Sequence, residues 1–168
     1  TEDIWNAKHE KYKNQSWINN PNIFAKEAVQ YFPKEGKILE LGAGQGQDTR
    51  FFAENGYKVV STDISPEALS FSKEKITINI KKNIEIKQMD TSKKFPFDSD
   101  EFDIVYAHLA LHYFDMKTTE KIVKEISRVL KPNGIIAILT NSCTDPEYGQ
   151  GEEIEKDYFF VDGKNKRF

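Results

Sequence analysis

The chain has 168 residues, with 24 Lys or Arg against 27 Asp or Glu, so its formal net charge is −3. Domains usually contain about 100–150 residues, and we therefore expect one domain covering residues 1–168. A hydrophobic fraction of 38% supports a packed core and argues against a disordered chain. The longest purely apolar run, Ile135–Leu139, is far shorter than the ~20 residues of a membrane-spanning helix.

Charge and cysteine content narrow the possible partners and the compartment. Only three arginines are present and the lysines are interleaved with acids, whereas a nucleic-acid-binding surface needs clustered basic residues. We therefore expect neither a nucleic acid nor a membrane as a partner. Cys143 is the single cysteine and cannot form an internal disulfide. With no secretory signal visible, a reducing, cytoplasmic location is predicted.

Three regions with different patterns follow one another along the chain. Residues 1–33 are predicted to be helical and to form a cap or lid. In residues 37–140 short apolar strands alternate with helices, which predicts βαβ crossovers and an α/β, Rossmann-like, doubly wound and mostly parallel sheet with helices on both faces. The predicted strands are Lys37–Leu41, Lys58–Thr62, Ile84–Gln88, Phe102–Ala107 and Ile135–Thr140, and the predicted helices are Asp48–Asn55, Pro66–Ile76 and Thr118–Leu130. Residues 141–168 form a polar tail in which only Tyr158–Val161 has a strand pattern.

A glycine-rich loop stands where the first predicted strand turns into the first helix. Gly42, Gly44 and Gly46 let the backbone turn tightly and approach a ligand, and ligands of such sheets bind at the carboxyl ends of the strands. A tight turn without a ligand is the alternative. The dinucleotide fingerprint needs a glycine at position 47, which is Gln47 here. Glu40, two positions before the loop, favours a ligand with a positively charged end.

Acidic residues also follow the second and third predicted strands. Asp63 lies 19 residues after Gly44, near the spacing of the acid that binds a ribose in nucleotide-binding sheets. A carboxylate accepts two hydrogen bonds and therefore matches paired hydroxyls. Asp63 is alternatively a cap for the next helix, although Ser65 can fill that role. Asp90 follows the third strand. It is either a second ligand-binding acid or simply the aspartate that starts a loop.

The segment from Glu40 to Gly46 resembles the first motif of class I S-adenosylmethionine-dependent methyltransferases. Three later segments resemble further motifs of this family and occur in the family's order along the chain. They are Phe95–Asp98, Phe102–Phe114 and Val129–Gly134. The resemblance covers residues 37–140 and is nearest to small-molecule methyltransferases, including the tellurite-resistance-like and thiopurine-like branches. It implies S-adenosylmethionine as cofactor and in-line transfer of its methyl group to a small-molecule acceptor.

The resemblance also implies roles for individual residues. The residues expected at the cofactor are Glu40, Gly42, Ala43, Gly44, Gly46, Asp63, Ile64, Met89, Asp90, Thr91 and His108. Among them, Glu40 is implied near the ammonium and sulfonium end, Asp63 at the ribose and Asp90 at the adenine amino group. Met89 and Ile64 are implied as walls of the adenine site.

Candidates on the substrate side are aromatic or histidine residues. His112 is the candidate catalytic base for an oxygen or nitrogen acceptor, although a histidine flanked by apolar residues is more often simply packed. Tyr12, Trp17 and Tyr113 are the substrate-side candidates. Tyr12 and Trp17, with Trp5, belong either to a lid that closes over cofactor and substrate or to a set of anchors for the N-terminal helices. His108 and His112 stand four residues apart, but no third ligand has a matching spacing, so no metal is expected.

Two other function classes stay open on the sequence. One is a catalytically silent S-adenosylmethionine-binding module or subunit, and the other, less favoured, is a nicotinamide-dependent oxidoreductase. In the resembling family the fold continues past the fifth strand with a helix and an antiparallel strand pair, roughly 30–40 residues. We expect these elements to be missing from a truncated tail, which would leave an apolar edge at Ile135, Ile136 and Ile138. The sequence does not predict the oligomeric state.

Overall fold

A five-stranded parallel sheet forms the centre of the structure, a computed structural model that describes residues 2–161 and 163–168. The strands are β1 (Lys37–Leu41), β2 (Lys58–Asp63), β3 (Ile84–Gln88), β4 (Phe102–His108) and β5 (Leu130–Leu139). Their order is β3-β2-β1-β4-β5, and each neighbouring pair is parallel. The predicted α/β class and parallel sheet are therefore confirmed.

Six α-helices surround this sheet within the described ranges. They are α1 (Glu2–Tyr12), α2 (Ile23–Ala28), α3 (Gln47–Glu54), α4 (Pro66–Glu74), α5 (Ile78–Lys81) and α6 (Met116–Val129), with 3-10 segments at Ser16–Asn19 and Val29–Tyr31. None of them, in the part of the chain that the structure describes, is both long and apolar enough to cross a bilayer. The chain runs outward from β1 to β3 and then returns to β4 on the other side of β1. This reversal places a ligand-binding crevice between the carboxyl ends of β1 and β4.

Alternating side chains of β1 and β4 divide the core into two layers. One layer packs against α6, and its members include Leu39, Leu41, Val105, Ala107, Ile122, Ile126 and Val129. The opposite layer packs against α2, α3 and α5, and its members include Ile38, Ile104, Tyr106, Ala25, Ala28, Phe52 and Ile80. Because helices cover both faces, the central strands are buried on both sides, which explains their continuous apolar character.

β5 begins at Leu130, five residues earlier than the sequence predicted. Phe102 of β4 pairs with Leu130, whereas Ile104 pairs with Ile135, so residues of β5 between these pairs form a bulge. Asn133 lies in the bulge with φ of 65°, a left-handed conformation that asparagine tolerates better than most residues. The sequence pattern of this stretch is that of a turn, because the bulge uses turn residues inside a strand.

The apolar edge that the sequence led us to expect is smaller than the three isoleucines suggested. Within residues 2–161 and 163–168, β5 is the last strand on its side of the sheet. Ile136 is 48% exposed, whereas Ile135 and Ile138 pack partly against the two core layers. The exposed apolar surface of this strand is therefore centred on one side chain.

The C-terminal residues form a second, antiparallel sheet that the sequence predicted only in part. It consists of β6 (Glu152–Glu155), β7 (Tyr158–Val161) and β8 (Lys164–Arg167), in the order β6-β7-β8. Only β7 has the apolar pattern of a strand. β6 and β8 consist mostly of charged residues. Their strand conformation is determined by pairing with β7, not by their own composition.

The N-terminal residues lie over the carboxyl edge of the central sheet. α1 packs against α4, and the Ser65 hydroxyl donates to Asn6 Oδ1 over 2.6 Å. The Arg50 guanidinium links the 3-10 segment Ser16–Asn19 to the glycine-rich loop, because it donates to Ile18 O (2.7 Å) and Gln45 O (2.9 Å). Ile18 is fully buried. These contacts make the N-terminal region a fixed cover of the crevice.

The buried layer around α3 is expected to carry much of the stability. Phe52 is fully buried, with its ring centroid 4.9 Å from that of Tyr106. We expect Phe52→Ala to lower the free energy of unfolding by about 3–5 kcal/mol, as measured by urea denaturation followed by circular dichroism. Phe160 is 45% exposed, and the matched Phe160→Ala variant is expected to cost less than ~1 kcal/mol. Equal losses in the two variants would contradict this account of the core.

Candidate functional site

Two adjoining cavities open at the carboxyl edge of the central sheet, beside the glycine-rich loop. One has a volume of about 140 Å³ and contains Glu40 and Asp48 in its wall, and we call it the acidic cavity. The other has a volume of about 270 Å³ and contains Asp63 and Asp90, and we call it the larger cavity. Gly42, Gly44 and His9 line both cavities. The two are therefore compartments of a single cleft.

Two glycines of the loop stand where a side chain would be strained or would collide with a neighbour. Gly42 and Gly44 have φ of 66° and 56°, the left-handed region that favours glycine. A Cβ at Gly42 would lie 2.5 Å from Ala110 Cβ, and one at Gly44 would lie 3.1 Å from His9 Cε1. The loop after β1 therefore makes close contact with both the segment after β4 and helix α1. Only a backbone without Cβ atoms permits this convergence.

Glu40, near the end of β1, is a buried acid in the wall of the acidic cavity. It is 3% exposed, and the Thr49 hydroxyl donates a hydrogen bond to its carboxylate. Burial, together with the nearby Asp48 carboxylate, raises the pKa of Glu40 well above its ordinary value. The ionised form is therefore unfavourable unless a positive charge lies close to it.

Asp48, in the first turn of α3, is a second buried acid that the sequence analysis missed. Its Oδ1 accepts from the Asn22 backbone N–H (2.7 Å), and its Oδ2 accepts from Asn22 Nδ2 (2.9 Å) and the Tyr106 hydroxyl (2.8 Å). An acid immediately after a glycine-rich loop, at a helix N-terminus, was the available signal. Its partners come from distant parts of the chain, and no local pattern indicates them.

Asn22 connects this acid to His108, one of the predicted cofactor residues. Asn22 is the N-cap of α2, yet its side chain makes no capping hydrogen bond. Its Nδ2 instead lies 3.2 Å from His108 Nδ1. Since an amide nitrogen only donates, Nδ1 accepts and the imidazole proton is on Nε2. Burial lowers the pKa of His108, so the ring is neutral at pH 7.

Unpartnered acceptors complete the acidic cavity. Gln45 Oε1 and Gln47 Oε1 are buried and have no hydrogen-bond partner among residues 2–161 and 163–168, although both glutamines line the cavity. Buried polar atoms normally have partners. Two free amide oxygens and the Glu40 carboxyl in the lining of one cavity suit a ligand group that is positively charged and donates hydrogen bonds. The ammonium end of S-adenosylmethionine therefore fits the residues present.

Asp63, the last residue of β2, is held by the backbone around the larger cavity. Its Oδ2 accepts from Gly44 N (2.8 Å) and its Oδ1 from Ser65 N (2.9 Å). A carboxylate has about four acceptor positions, so capacity remains for ligand hydroxyls. Ser65 caps α4, because its hydroxyl accepts from Ala68 N over 3.1 Å. Ser65 therefore caps the helix, and Asp63 is not needed for that role.

Asp90 lies across the larger cavity from the glycine-rich loop, after β3. Its Oδ1 accepts from the Ser92 backbone N–H (2.9 Å) and the Ser92 hydroxyl (2.6 Å). Ile64 and Thr91 line the same cavity. Leu109 also lines it and has φ of 51°, a strained conformation of the kind often found at functional sites.

Most of the predicted site residues come together at the cleft. Those that line one or both cavities are Glu40, Gly42, Ala43, Gly44, Asp63, Ile64, Asp90, Thr91, His108, Trp17 and Tyr113. The remaining predicted residues, Gly46, Met89, His112 and Tyr12, lie outside both linings. Gly46 is the left-handed N-cap of α3, Met89 packs in the core, and the Tyr12 ring packs against Trp17.

His112, the candidate base, is packed behind the cavity wall. It is 4% exposed, and its ring centroid lies 3.9 Å from that of Tyr113, which does line the larger cavity. Burial, then the charges of Lys166 and Lys8, lower the pKa of His112 to about 4. The imidazole is therefore neutral at pH 7 and retains an acceptor nitrogen.

Other cavity residues were not predicted as site residues. His9 and Trp5 line the larger cavity from α1, and Leu109 and Ala110 line it from the segment after β4. His9 is buried enough that its pKa is lowered, although the Asp63 carboxylate opposes the shift. α1 meets the glycine-rich loop only through tertiary packing, so its sequence gives no sign of the contact.

Comparison with known proteins identifies the family. A family model described as "Methyltransferase domain" matches residues 39–138. An uncharacterized methyltransferase from Synechocystis is 33% identical over 125 residues, which cover 70% of this chain and 56% of that protein. The demethylmenaquinone methyltransferase of Lactococcus lactis is 36% identical over 121 residues, with coverages of 70% and 47%. The chain thus spans about half the length of these curated relatives.

The fold agrees with solved structures of the same family. A SAM-dependent methyltransferase from Methanosarcina mazei superposes with a TM-score of 0.71 at 23% identity, covering 84% of this chain and 72% of that one. This likeness concerns the fold, and the family model matches more than half of the chain. The chain therefore belongs to the class I S-adenosylmethionine-dependent methyltransferases.

Proposed function

We propose that the protein binds S-adenosylmethionine across both cavities and transfers its methyl group to a small-molecule acceptor. The division of the cleft is the observation that best supports this. Glu40 and free amide oxygens stand in the acidic cavity, whereas Asp63 and Asp90 stand in the larger one. S-adenosylmethionine has the same division, with an ammonium and a sulfonium at one end and a nucleoside at the other.

Each compartment would hold one end of the cofactor. Asp63 would accept hydrogen bonds from the ribose hydroxyls and Asp90 would accept from the adenine amino group, with Ile64 and Thr91 in the wall of the same cavity. In the acidic cavity Glu40 faces the positively charged end. The cofactor's carboxylate is bound by backbone N–H groups of the loop at the start of α3, where the helix dipole favours an anion.

The reaction needs alignment and exclusion of water more than acid–base chemistry. A sulfonium methyl group is already activated, so holding an acceptor in line with it supplies much of the rate increase. The N-terminal cap, residues 2–33, covers the cleft with Trp5, His9 and Trp17 and excludes water. No general base is proposed, because His112 is packed behind Tyr113 and its pKa of about 4 makes it a weak proton acceptor.

A small-molecule acceptor agrees with the enclosed cleft and with the relative from Lactococcus lactis, whose name describes action on demethylmenaquinone.

Isothermal titration with S-adenosylmethionine, S-adenosylhomocysteine and NADH tests the cofactor. We expect the first two to bind and NADH not to bind. Transfer of a labelled methyl group to a panel of thiols, amines and phenols then tests the reaction. Cofactor binding without transfer to any acceptor would support a silent module instead.

Removal of the Asp63 side chain tests the larger cavity. We expect Asp63→Ala to weaken S-adenosylhomocysteine binding about 10–100-fold, because hydrogen bonds to a charged group are worth about 1.5–3 kcal/mol. Isothermal titration measures the change. Asp98 is exposed and outside the cleft, and Asp98→Ala is expected to bind normally. Unchanged affinity in Asp63→Ala would contradict the ribose assignment.

The buried Glu40 carboxyl predicts proton release when the cofactor binds. Because its pKa is raised, Glu40 is protonated up to a higher pH than an ordinary glutamate, and a bound cation favours the ionised form. S-adenosylmethionine affinity is therefore expected to rise with pH through the Glu40 pKa. Titrations in buffers of different ionisation enthalpy measure the protons released.

Glu40→Gln is the matched variant, since glutamine keeps an acceptor for the Thr49 hydroxyl. We expect it to bind S-adenosylmethionine about 10–100-fold more weakly and to release no proton from this position. Because ionising a buried carboxyl opposes folding, its free energy of unfolding at pH 7 should equal or exceed that of the unchanged protein. The same proton release in Glu40→Gln would show that another group titrates.

A further inference from the structure

Three lysines from two distant parts of the chain come close to one another near Trp5, although none of them lines the larger cavity. Lys8 lies on α1, and Lys164 and Lys166 lie on β8. Both Lys8 and Lys164 have their ammonium groups over the Trp5 ring, and the charges of Lys164 and Lys166 act on Lys8. The second sheet therefore brings positive charges to the N-terminal cap, which neither segment's sequence indicates.

Trp5 connects these ammonium groups to the cavity. Lys8 Nζ lies 4.8 Å and Lys164 Nζ 5.8 Å from the centre of the Trp5 ring. The same ring lines the larger cavity and packs edge-on against Tyr113, with centroids 4.8 Å apart. The lysines are thus one aromatic ring away from the space that would receive the acceptor.

The positive charges exceed their negative partners. Lys166 pairs with Glu147, whereas among residues 2–161 and 163–168 neither Lys8 nor Lys164 has a carboxylate within ion-pair distance. Burial and the charge of Lys164 lower the pKa of Lys8 to about 8. Holding like charges together in a partly buried place is unfavourable unless an anion joins them.

We infer that Lys8 and Lys164, beside Trp5, bind an anionic group of the methyl acceptor, a carboxylate or a phosphate. This inference rests on the proposed function, because it takes the larger cavity as part of the methyl-transfer site. Two ammonium groups donate to the anion's oxygens, and Trp5 and Tyr113 contact the apolar part of the same molecule. The acceptor therefore belongs to the acidic small molecules.

Trp5 fluorescence provides a direct test with defined probes. The chain has two tryptophans, and isothermal titration of the unchanged protein checks the fluorescence change, so no residue of the cleft is altered. With S-adenosylhomocysteine present, we titrate hexanoate, hexyl phosphate and the uncharged hexanamide. Hexanoate or hexyl phosphate is expected to bind at least 10-fold more tightly than hexanamide. Preference for one anion identifies the acceptor group as a carboxylate or a phosphate, and this comparison needs no lysine variant to fold.

Lysine variants then locate the anion. We expect Lys8→Met and Lys164→Met each to weaken binding of the preferred anion at least several-fold, whereas Lys124→Met, on the exposed face of α6, changes nothing. S-adenosylhomocysteine titration of each variant reports the cofactor site separately. Equal binding of the anions and hexanamide, or undiminished anion binding in both lysine variants, would overturn the inference. Absence of S-adenosylhomocysteine binding would instead contradict the proposed function.

The pH dependence supplies an independent readout. The groups that act on Lys8 are Lys164, Lys166 and Glu147, and Lys8 in turn acts on His9 and His112. Both histidines have lowered pKa values and stay neutral above pH 7. Anion affinity is therefore expected to fall as pH rises from 7 to 9, through the Lys8 pKa of about 8. Lys8→Met should lose this decline, and a decline of the same size in that variant would count against Lys8.

Discussion

The contact between the Asp63 carboxylate and the backbone N–H of Gly44, over 2.8 Å, ties the glycine-rich loop to the end of the neighbouring strand. The loop can take this position only because Gly42 and Gly44 lack side chains, since a Cβ at Gly42 would collide with Ala110. The cleft, its two compartments and the approach of α1 all depend on this packing of bare backbone. A Cβ added at Gly42 would therefore displace the segment after β4 as well as the loop itself.

Electrostatics around this loop follow from burial. Glu40 and Asp48 are both buried in the acidic cavity, and Asp48 is satisfied by Asn22 and Tyr106. Glu40 has Thr49 as its hydrogen-bond donor, and its pKa is raised. A buried carboxyl without a cation weakens the fold, and it is retained where a cationic ligand restores the balance. Near Trp5 the side-chain charge is positive instead, because Lys8 and Lys164 have no carboxylate partner among the described residues.

Much of the fold could be predicted because the central sheet obeys local rules. β1 and β3 have the predicted bounds, and β2 and β4 extend one residue further. β1, β2 and β4 are largely buried, because helices cover both faces of the sheet, whereas β3 is an edge strand recognised by its alternating pattern. β6 and β8 could not be predicted, because their charged residues become strands only by pairing with β7. For the same reason the bulge in β5 has the sequence pattern of a turn.

The sequence by itself determined the parallel sheet, the glycine-rich loop and the acids at the strand ends, because strand periodicity and backbone conformation are encoded in neighbouring residues. Only the tertiary structure decided what covers that edge. His9 and Asn22 reach the cleft through contacts between segments far apart in the chain, and Lys8 and Lys164 meet at Trp5 in the same way. Met89 and His112, at similar strand ends, turn inward to be packed. Local pattern fixes where a strand ends, and long-range packing fixes which side chains face the ligand.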